Sequence, residues 1–433
     1  MRMLPVILLV PVLILSWPAS ALEAYTAPVA DSAIITDIVI TGNEVTRPEI
    51  ILQEMLLGVG DPPNAGLIER STQAIRDLGL FSSVTVNVRS VDDDVELIID
   101  VKEKLFLLPV PRLNRNADGD IKYGAQLRWN NVAGLNQTIR MTLDRTEYSD
   151  NTQNDRDEFR IDYDYPRIRQ TLYNVDLKYS IEHSEQEATS DLGVLSVFDE
   201  ETTESRLRIS RWWTRSGATR GWLSGFGAAR TESDYEYISG DPDVLVDRTM
   251  VSLLGSLSYH QLHETEFSRF GYEFGYDVSQ SLETIGADET ATTSEIFVRD
   301  YRPVSDTPHR NINTQWRVGV SSLDGNKTYD LGGSSRLRGY DRGSITGNAF
   351  FLANIQYLAP WPGYPAFRYV VFTDIGNAYK NARYIDLGDV RASVGLGFRW
   401  KLQSFVKTYL RLDCAYAFDT DETKVYGATV AMF

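Results

Sequence analysis

The sequence predicts an all-β chain, a sixteen-stranded antiparallel transmembrane β-barrel behind one small α+β unit of order β-α-α-β-β. Two observations predict the barrel. From residue 104 onward no segment has helical periodicity, and apolar residues alternate with polar ones in segments of about ten residues. The connections between those segments alternate in length, long and polar after odd segments, short after even ones. The third observation, helix signals confined to residues 46–79, predicts the small unit in front.

The chain opens as a secretory signal over residues 1–21. Arg2 gives the charged start, Leu4 to Leu15 the apolar stretch, and Ala19-Ser20-Ala21 the small-residue cleavage site. That stretch is too short to span a bilayer as a helix, and Pro5 and Pro11 interrupt it. A net charge of −17 argues against nucleic acid, which requires a basic surface. One cysteine, Cys414, excludes an internal disulfide and reads as a buried small apolar residue.

The small unit is expected over 33–103. Residues 34–40 alternate and stop at Thr41-Gly42-Asn43, a turn. Thr46 and Glu49 have capping-box spacing ahead of a helix with Ile50, Ile51, Met55 and Leu56 on one face. Gly58 to Pro63 breaks it. A second helix runs over about 64–78 and closes at Gly79. Two strands follow, joined by a turn at Asp92 to Asp94.

The barrel is expected over 104–433. Its sixteen candidate strands are 105–112, 120–130, 135–147, 156–165, 171–183, 203–214, 219–231, 247–260, 267–280, 292–302, 311–322, 348–358, 366–378, 389–401, 405–418 and 423–433. An even number suits a bacterial single-chain barrel. Two polar stretches, 183–204 and 232–247, are read as long outer loops. In the fifteenth strand Leu410, Leu412, Cys414, Tyr416 and Phe418 share the face suited to lipid, and Arg411, Asp413, Ala415 and Ala417 the face suited to a lumen. Trp129, Tyr165, Trp212, Trp213, Trp361 and Trp400 fall near strand ends, where aromatic girdles form. Pro109 and Pro111 lie in the first strand. Proline cannot donate to a ladder, so the seam between the first and last strands should be poorly bonded. The last residue, Phe433, supplies an aromatic terminal signal.

The connection after the eleventh strand is long and Gly-rich, and holds Leu337-Arg338-Gly339-Tyr340. Loops of this kind are functional or disordered. The thirteenth strand carries Phe372-Thr373-Asp374-Ile375-Gly376. Residues 33–103 resemble a POTRA (polypeptide-transport-associated) domain at Gly42-Asn43, Gly60 and Gly79-Leu80-Phe81. With Arg338-Gly339-Tyr340 and Phe372-x-Asp374-x-Gly376, the chain from 33 to 433 resembles the BamA/TamA superfamily of outer-membrane assembly and translocation barrels. The resemblance implies a loop folded into the lumen, with Arg338 meeting acidic groups on strands twelve and thirteen. In the family an acid is usual on strand twelve; here that position is Gln356, so the anchor should rest mainly on Asp374.

No enzyme motif is present. The histidines, His183, His260, His263 and His309, have no Cys or further paired His to complete a metal site. No cofactor is expected. The resemblance implies insertion or translocation of polypeptides without ATP, in the outer membrane of a Gram-negative bacterium, with the POTRA unit in the periplasm. Its expected partners are unfolded or secreted clients, outer-membrane lipids and lipopolysaccharide, and a periplasmic or inner-membrane partner reached through that unit. Room for one such unit suggests an accessory member. The rival readings are a passive diffusion pore and a structural or adhesive surface barrel.

Overall fold

A computed structural model describes residues 33–430, apart from 116–120, 148–154, 191–192, 216, 219, 306, 324–327 and 387. The expected signal segment and Phe433 therefore lie outside the described residues.

The small unit is built as its pattern predicts. Strand Ile35–Thr41 is followed by helices Pro48–Leu52 and Ala65–Asp77, then by strands Phe81–Val91 and Asp94–Glu103. The last strand sits in the middle of a three-stranded sheet, parallel to the first and antiparallel to the second. Ile51, Ile75, Leu80 and Ile99 bury their side chains between helices and sheet. Asn64 caps the second helix by accepting from the Leu67 N–H at 3.0 Å. Gly79 follows that helix in the left-handed region, φ +75°. The capping box is not formed. Arg47 is the N-cap, without a side-chain cap bond, and Pro48 begins a helix of five residues. Thr46 is drawn away by other partners: its N–H donates to Glu103 at 2.6 Å, and its hydroxyl accepts from Asn131 Nδ2 at 2.9 Å.

The rest is one antiparallel sheet of sixteen strands in sequential order. Counted from one, they are Leu107–Arg115, Ile121–Val132, Gln137–Glu147, Arg156–Tyr165, Tyr173–Ser190, Gly193–Arg215, Arg220–Gly240, Arg248–Glu264, Arg269–Ser281, Ala291–Pro303, Asn311–Ser321, Ala349–Trp361, Tyr364–Tyr379, Arg391–Lys401, Tyr409–Ala417 and Thr423–Val430. Strands one and sixteen lie alongside each other with no ladder between them among the described residues. Strands five to seven run 18, 23 and 21 residues. About 9–11 residues suffice to cross a bilayer, so these three strands project well past the barrel. Most of both stretches read as outer loops is strand. They are mostly polar, and the apolar residues Val194, Leu195, Val197 and Phe198 do not alternate strictly, so hydrophobic alternation did not mark them.

Side-chain parity follows the pleat. Leu410, Leu412, Cys414 and Tyr416 face outward and are exposed, while Asp413, Ala415 and Ala417 are buried inside. Cys414 is thus an outward residue, not a core one. Trp129, Trp213, Trp361 and Trp400 point outward near strand ends. Trp212 does not join them. It is one residue out of phase with Trp213, faces inward, and meets His260 edge-on at 5.7 Å.

The small unit is docked onto the short-turn end of the barrel. Glu54 is fully buried and accepts from Arg215 at 2.7 Å and from Arg167 at 3.3 Å, tying two different turns to one carboxylate. Asp77 accepts from the Glu264 N–H at 2.8 Å and lies 3.2 Å from His263 Nδ1. The Arg47 N–H donates to the Gly134 carbonyl at 3.1 Å. Val406, from the turn between strands fourteen and fifteen, completes the core of the small unit. Contacts with turns all around the rim place the unit across the mouth.

Removing one partner of a buried ion pair strands the other charge, at about 3–5 kcal/mol. Glu54→Ala should therefore loosen this docking, and protease should cleave the linker at 104–106 faster while heat-modifiable migration of the barrel stays unchanged. Equal cleavage of variant and wild type would show that Glu54 does not hold the unit.

Candidate functional site

The loop between strands eleven and twelve turns back into the barrel. A short ribbon, Tyr329–Asp330 against Thr346–Gly347, shapes its base. Leu331, Leu337, Tyr340 and Ile345 pack on Phe350 and Leu352 of strand twelve and on Ala417 of strand fifteen. The loop is thus stitched to the inner wall by apolar contacts at several points.

Arg338 lies at its tip, 2% exposed. Its Nε and Nη2 donate to the two oxygens of Asp374, each at 2.6 Å, and its backbone N–H donates to the same carboxylate at 3.1 Å. Its Nη1 reaches Asp413 Oδ2 at 3.1 Å. The guanidinium plane sits 3.4 Å from the centre of the Phe372 ring. A planar fork meeting a carboxylate on two parallel bonds, with a ring beneath it, is the contact for which arginine is suited and lysine is not. Asn354 of strand twelve completes the shell, donating to Asp374 Oδ1 at 2.8 Å and to the Arg336 carbonyl at 2.6 Å. Gly339 has φ +96°, and a Cβ there would stand 3.2 Å from Ala417 and 3.3 Å from Ser393. Its N–H donates to the Tyr426 hydroxyl at 3.0 Å. The Tyr340 hydroxyl donates to the Ala392 carbonyl at 3.1 Å and also contacts Asp419.

Each residue of the strand-thirteen motif has a visible task. Phe372 floors the guanidinium, Asp374 receives it, and Gly376 lets strand twelve approach, since a Cβ there would meet the Phe351 carbonyl at 2.6 Å. Gln356 has a different place. It is buried, but its Oε1 accepts from Arg399 at 3.4 Å and it does not touch Arg338. The second acid is Asp413, on strand fifteen, shared by Arg338, Arg399 and Arg411, with Arg411 Nε at 2.6 Å. Sequence reading placed Arg411 and Asp413 on the lumen face, but did not connect them with a loop some 75 residues earlier. Register puts both acids on the same intervening strand, Asp374 opposite Ser393 and Asp413 opposite Gly397, and the Arg338 guanidinium spans the four-residue step between them.

At the seam, the Asn130 N–H donates to the Phe106 carbonyl at 2.7 Å. The one-to-two ladder continues in step, Leu108 opposite Arg128. Even-numbered residues of strand one thus hydrogen-bond to strand two, and odd-numbered ones face strand sixteen. Pro109 and Pro111 are odd, so the missing N–H groups are both on the seam side. The histidines form no metal cluster among the described residues; His260 Nδ1 lies 2.9 Å from Glu273.

The chain is thus a sixteen-stranded barrel with a loop anchored in its lumen and one βααββ unit docked at its short-turn mouth. The family comparisons agree: residues 131–426 match the Omp85 superfamily domain and residues 33–104 match the surface antigen variable number repeat, the POTRA unit. The chain belongs to the Omp85 superfamily. It is 33% identical over 70 residues to the outer membrane protein assembly factor BamA of Nitratidesulfovibrio vulgaris, a stretch that is 16% of this chain and 9% of that protein. The fold is shared with BamA from Haemophilus ducreyi lacking POTRA domains 1–3, at TM-score 0.54 and 17% identity over 92% of this chain and 85% of that one. It is shared also with CdiB from Escherichia coli, at TM-score 0.64 and 16% identity over 91% and 75%. CdiB from Acinetobacter baumannii gives 0.63 and 15% over 91% and 73%.

The Arg338–Asp374 contact should behave as one unit. Arg338→Ala and Asp374→Ala should each cost about 3–5 kcal/mol of loop docking, the range for breaking a buried pair. The double variant should lose little more than either single one, because the shared contact is lost once. Loop protease sensitivity across the four proteins measures this, and strictly additive losses would show that the two residues act independently. Gln356→Glu should leave the Arg338 fork in place and give Arg399 a second carboxylate, with no increase in loop protection.

Proposed function

We propose that this chain is an outer-membrane barrel that inserts or exports other polypeptides without ATP and without chemistry of its own. On this reading it sits in the outer membrane of a Gram-negative bacterium, among lipids and lipopolysaccharide, with the POTRA unit in the periplasm. The observation that carries the reading is the fully buried Arg338 fork on Asp374 and Asp413, beside a seam with no ladder among the described residues. A diffusion pore has no use for a unit docked over its mouth. A surface adhesin has no use for a POTRA unit tied to the opposite mouth.

In this proposal the loop holds the lumen wall in register while the seam works. Strand one presents alternate carbonyls toward strand sixteen but lacks the donors of Pro109 and Pro111, so strand one could part from strand sixteen at low cost and offer its free edge to a client strand. Strand Phe81–Val91 is an edge of the POTRA sheet and offers extended clients, or a periplasmic or inner-membrane partner, a place to add by β-augmentation. Energy comes from the client folding into lipid.

Two experiments test this. With Cys414→Ser removing the native thiol, a disulfide between cysteines placed on strands one and sixteen should stop client insertion or export in reconstituted vesicles, and reduction should restore it. Full activity of the locked barrel would remove the seam from the mechanism. Deleting Phe433 should lower the amount of assembled protein more than it lowers the activity per assembled molecule; normal assembly would show that Phe433 is no terminal signal.

A further inference from the structure

A second cluster of buried charge lies nearer the docked unit than the Arg338 site does. Arg368 of strand thirteen is 1% exposed and Tyr409 of strand fifteen 3% exposed. Arg368 is opposite Arg399 and so diagonal to Lys401, Lys401 is directly opposite Tyr409, and Arg368 and Tyr409 are within electrostatic reach of each other across the strand between them. One arm of the Arg368 guanidinium is fixed: Nη1 donates to Asn311 Oδ1 at 2.9 Å. Its other arm, Nη2, and the Tyr409 hydroxyl have no hydrogen-bond partner among the described protein groups. Lys401 Nζ is 5.4 Å from the centre of the Tyr409 ring and donates only to the Thr265 carbonyl, at 3.3 Å.

The charges around these groups do not balance. Lys401 lies within electrostatic reach of Lys104, Arg269 and Arg368, and Lys407 lies close to Arg269. The carboxylate within reach of all of these is Glu264, and Arg269 occupies it through Nε at 2.9 Å. Asp77 is engaged by His263 and the Glu264 N–H, and Glu266 by Gln403 Nε2 at 3.2 Å. His309 adds no negative charge. Burial, opposed by Glu264 and reinforced by Lys407, brings the Lys104 ammonium down to about 8. Buried cations in proteins are paired, yet the buried Arg368 and Lys401, together with the half-buried Lys104, Arg269 and Lys407, face only Glu264 and, at Lys407, Asp77, so among the described residues the cations outnumber the carboxylates. This occurs in a chain whose net charge is −17.

We infer that the base of the lumen is an anion-binding site, in which Arg368 Nη2 and the Tyr409 hydroxyl donate to one carboxylate or phosphate group and Lys401 supplies charge beside it. The arginine fork suits this chemistry, since Asn311 holds one arm and orients the other. The anion could be the terminal carboxylate of a polypeptide or the phosphate of a lipid headgroup. Only the first of these rests on the client-handling reading above.

The full chain in detergent micelles would be titrated with inorganic phosphate at ionic strength held constant with chloride, using calorimetry. The expected result is saturable phosphate binding, weakened at least about tenfold by Arg368→Gln, and weakened also by Tyr409→Phe, which removes one oxygen and keeps the ring. If Arg368→Gln does not fold, Tyr409→Phe carries the test. Competition by a ten-residue peptide with a free C-terminal carboxylate, and not by its C-terminal amide, would identify a polypeptide terminus as the source. Phosphate binding untouched by either peptide would identify a phosphate headgroup. Absence of saturable binding in the wild type, or equal binding in wild type and both variants, would overturn the site.

Discussion

The inner organisation of this barrel depends on where one guanidinium sits. Arg338 never loses its charge, so placing it in the lumen commits the wall to supplying acids. Asp374 gives it a two-bond fork and Asp413 a third contact. Asp413 is in turn held by Arg399 and Arg411, so three cations share two carboxylates on strands thirteen and fifteen. Such a cluster is costly to disturb at any one member, because each departure leaves another charge unpaired. The apolar contacts of Leu337 and Tyr340 are consistent with this position and no other, since they pack only when the loop tip lies against strands twelve and fifteen.

Room for this arrangement comes from missing side chains. Gly339 lets the tip take a backbone conformation that other residues resist, and Gly376 lets strand twelve close on strand thirteen. Phe372 lies flat below the guanidinium because the facing position on strand fourteen is Gly395, where a Cβ would stand 2.2 Å from the ring. The motif residues are therefore parts of one packing solution and not separate contacts.

Much of this was legible because it is local or periodic. Short-period alternation marks which residues face inward, and connection parity marks which end of the barrel each turn occupies. The Arg338 and Asp374 partnership was legible only through the resemblance to a family, since the two residues stand 36 positions apart. Asp413 was missed for the converse reason: it belongs to no short motif, and only the strand register brings it to Arg338. Gln356, at the position where the family usually has an acid, meets Arg399 and not Arg338, because sequence gives a residue's face but not its height on the wall. The ends of strands five to seven were missed because they are mostly polar and their apolar residues, Val194 to Phe198, lack the strict alternation that reports a strand. The docking of the POTRA unit left no sequence signal, since Glu54, Arg167 and Arg215 look like ordinary surface charges until the turns are brought together.

The magnitudes then order the ways in which such a barrel can open. A path through the lumen must release the Arg338 cluster and lift the docked unit from its mouth. Each of those steps breaks buried ion pairs, at about 3–5 kcal/mol apiece. A path through the side must separate strands one and sixteen. There the ladder is absent among the described residues, two donors are replaced by proline, and a hydrogen bond is worth only about 0.5–1.5 kcal/mol net. The same loop that makes the lumen expensive to clear also holds one bank of the seam, because Gly339 bonds to Tyr426 and Asp341 pairs with Lys424 on strand sixteen, while no bond of the loop to strand one is present among the described residues. On the function proposed here, the anchored loop and the weak seam are therefore complementary: the first holds strands twelve to sixteen together, so that opening the second falls to strand one.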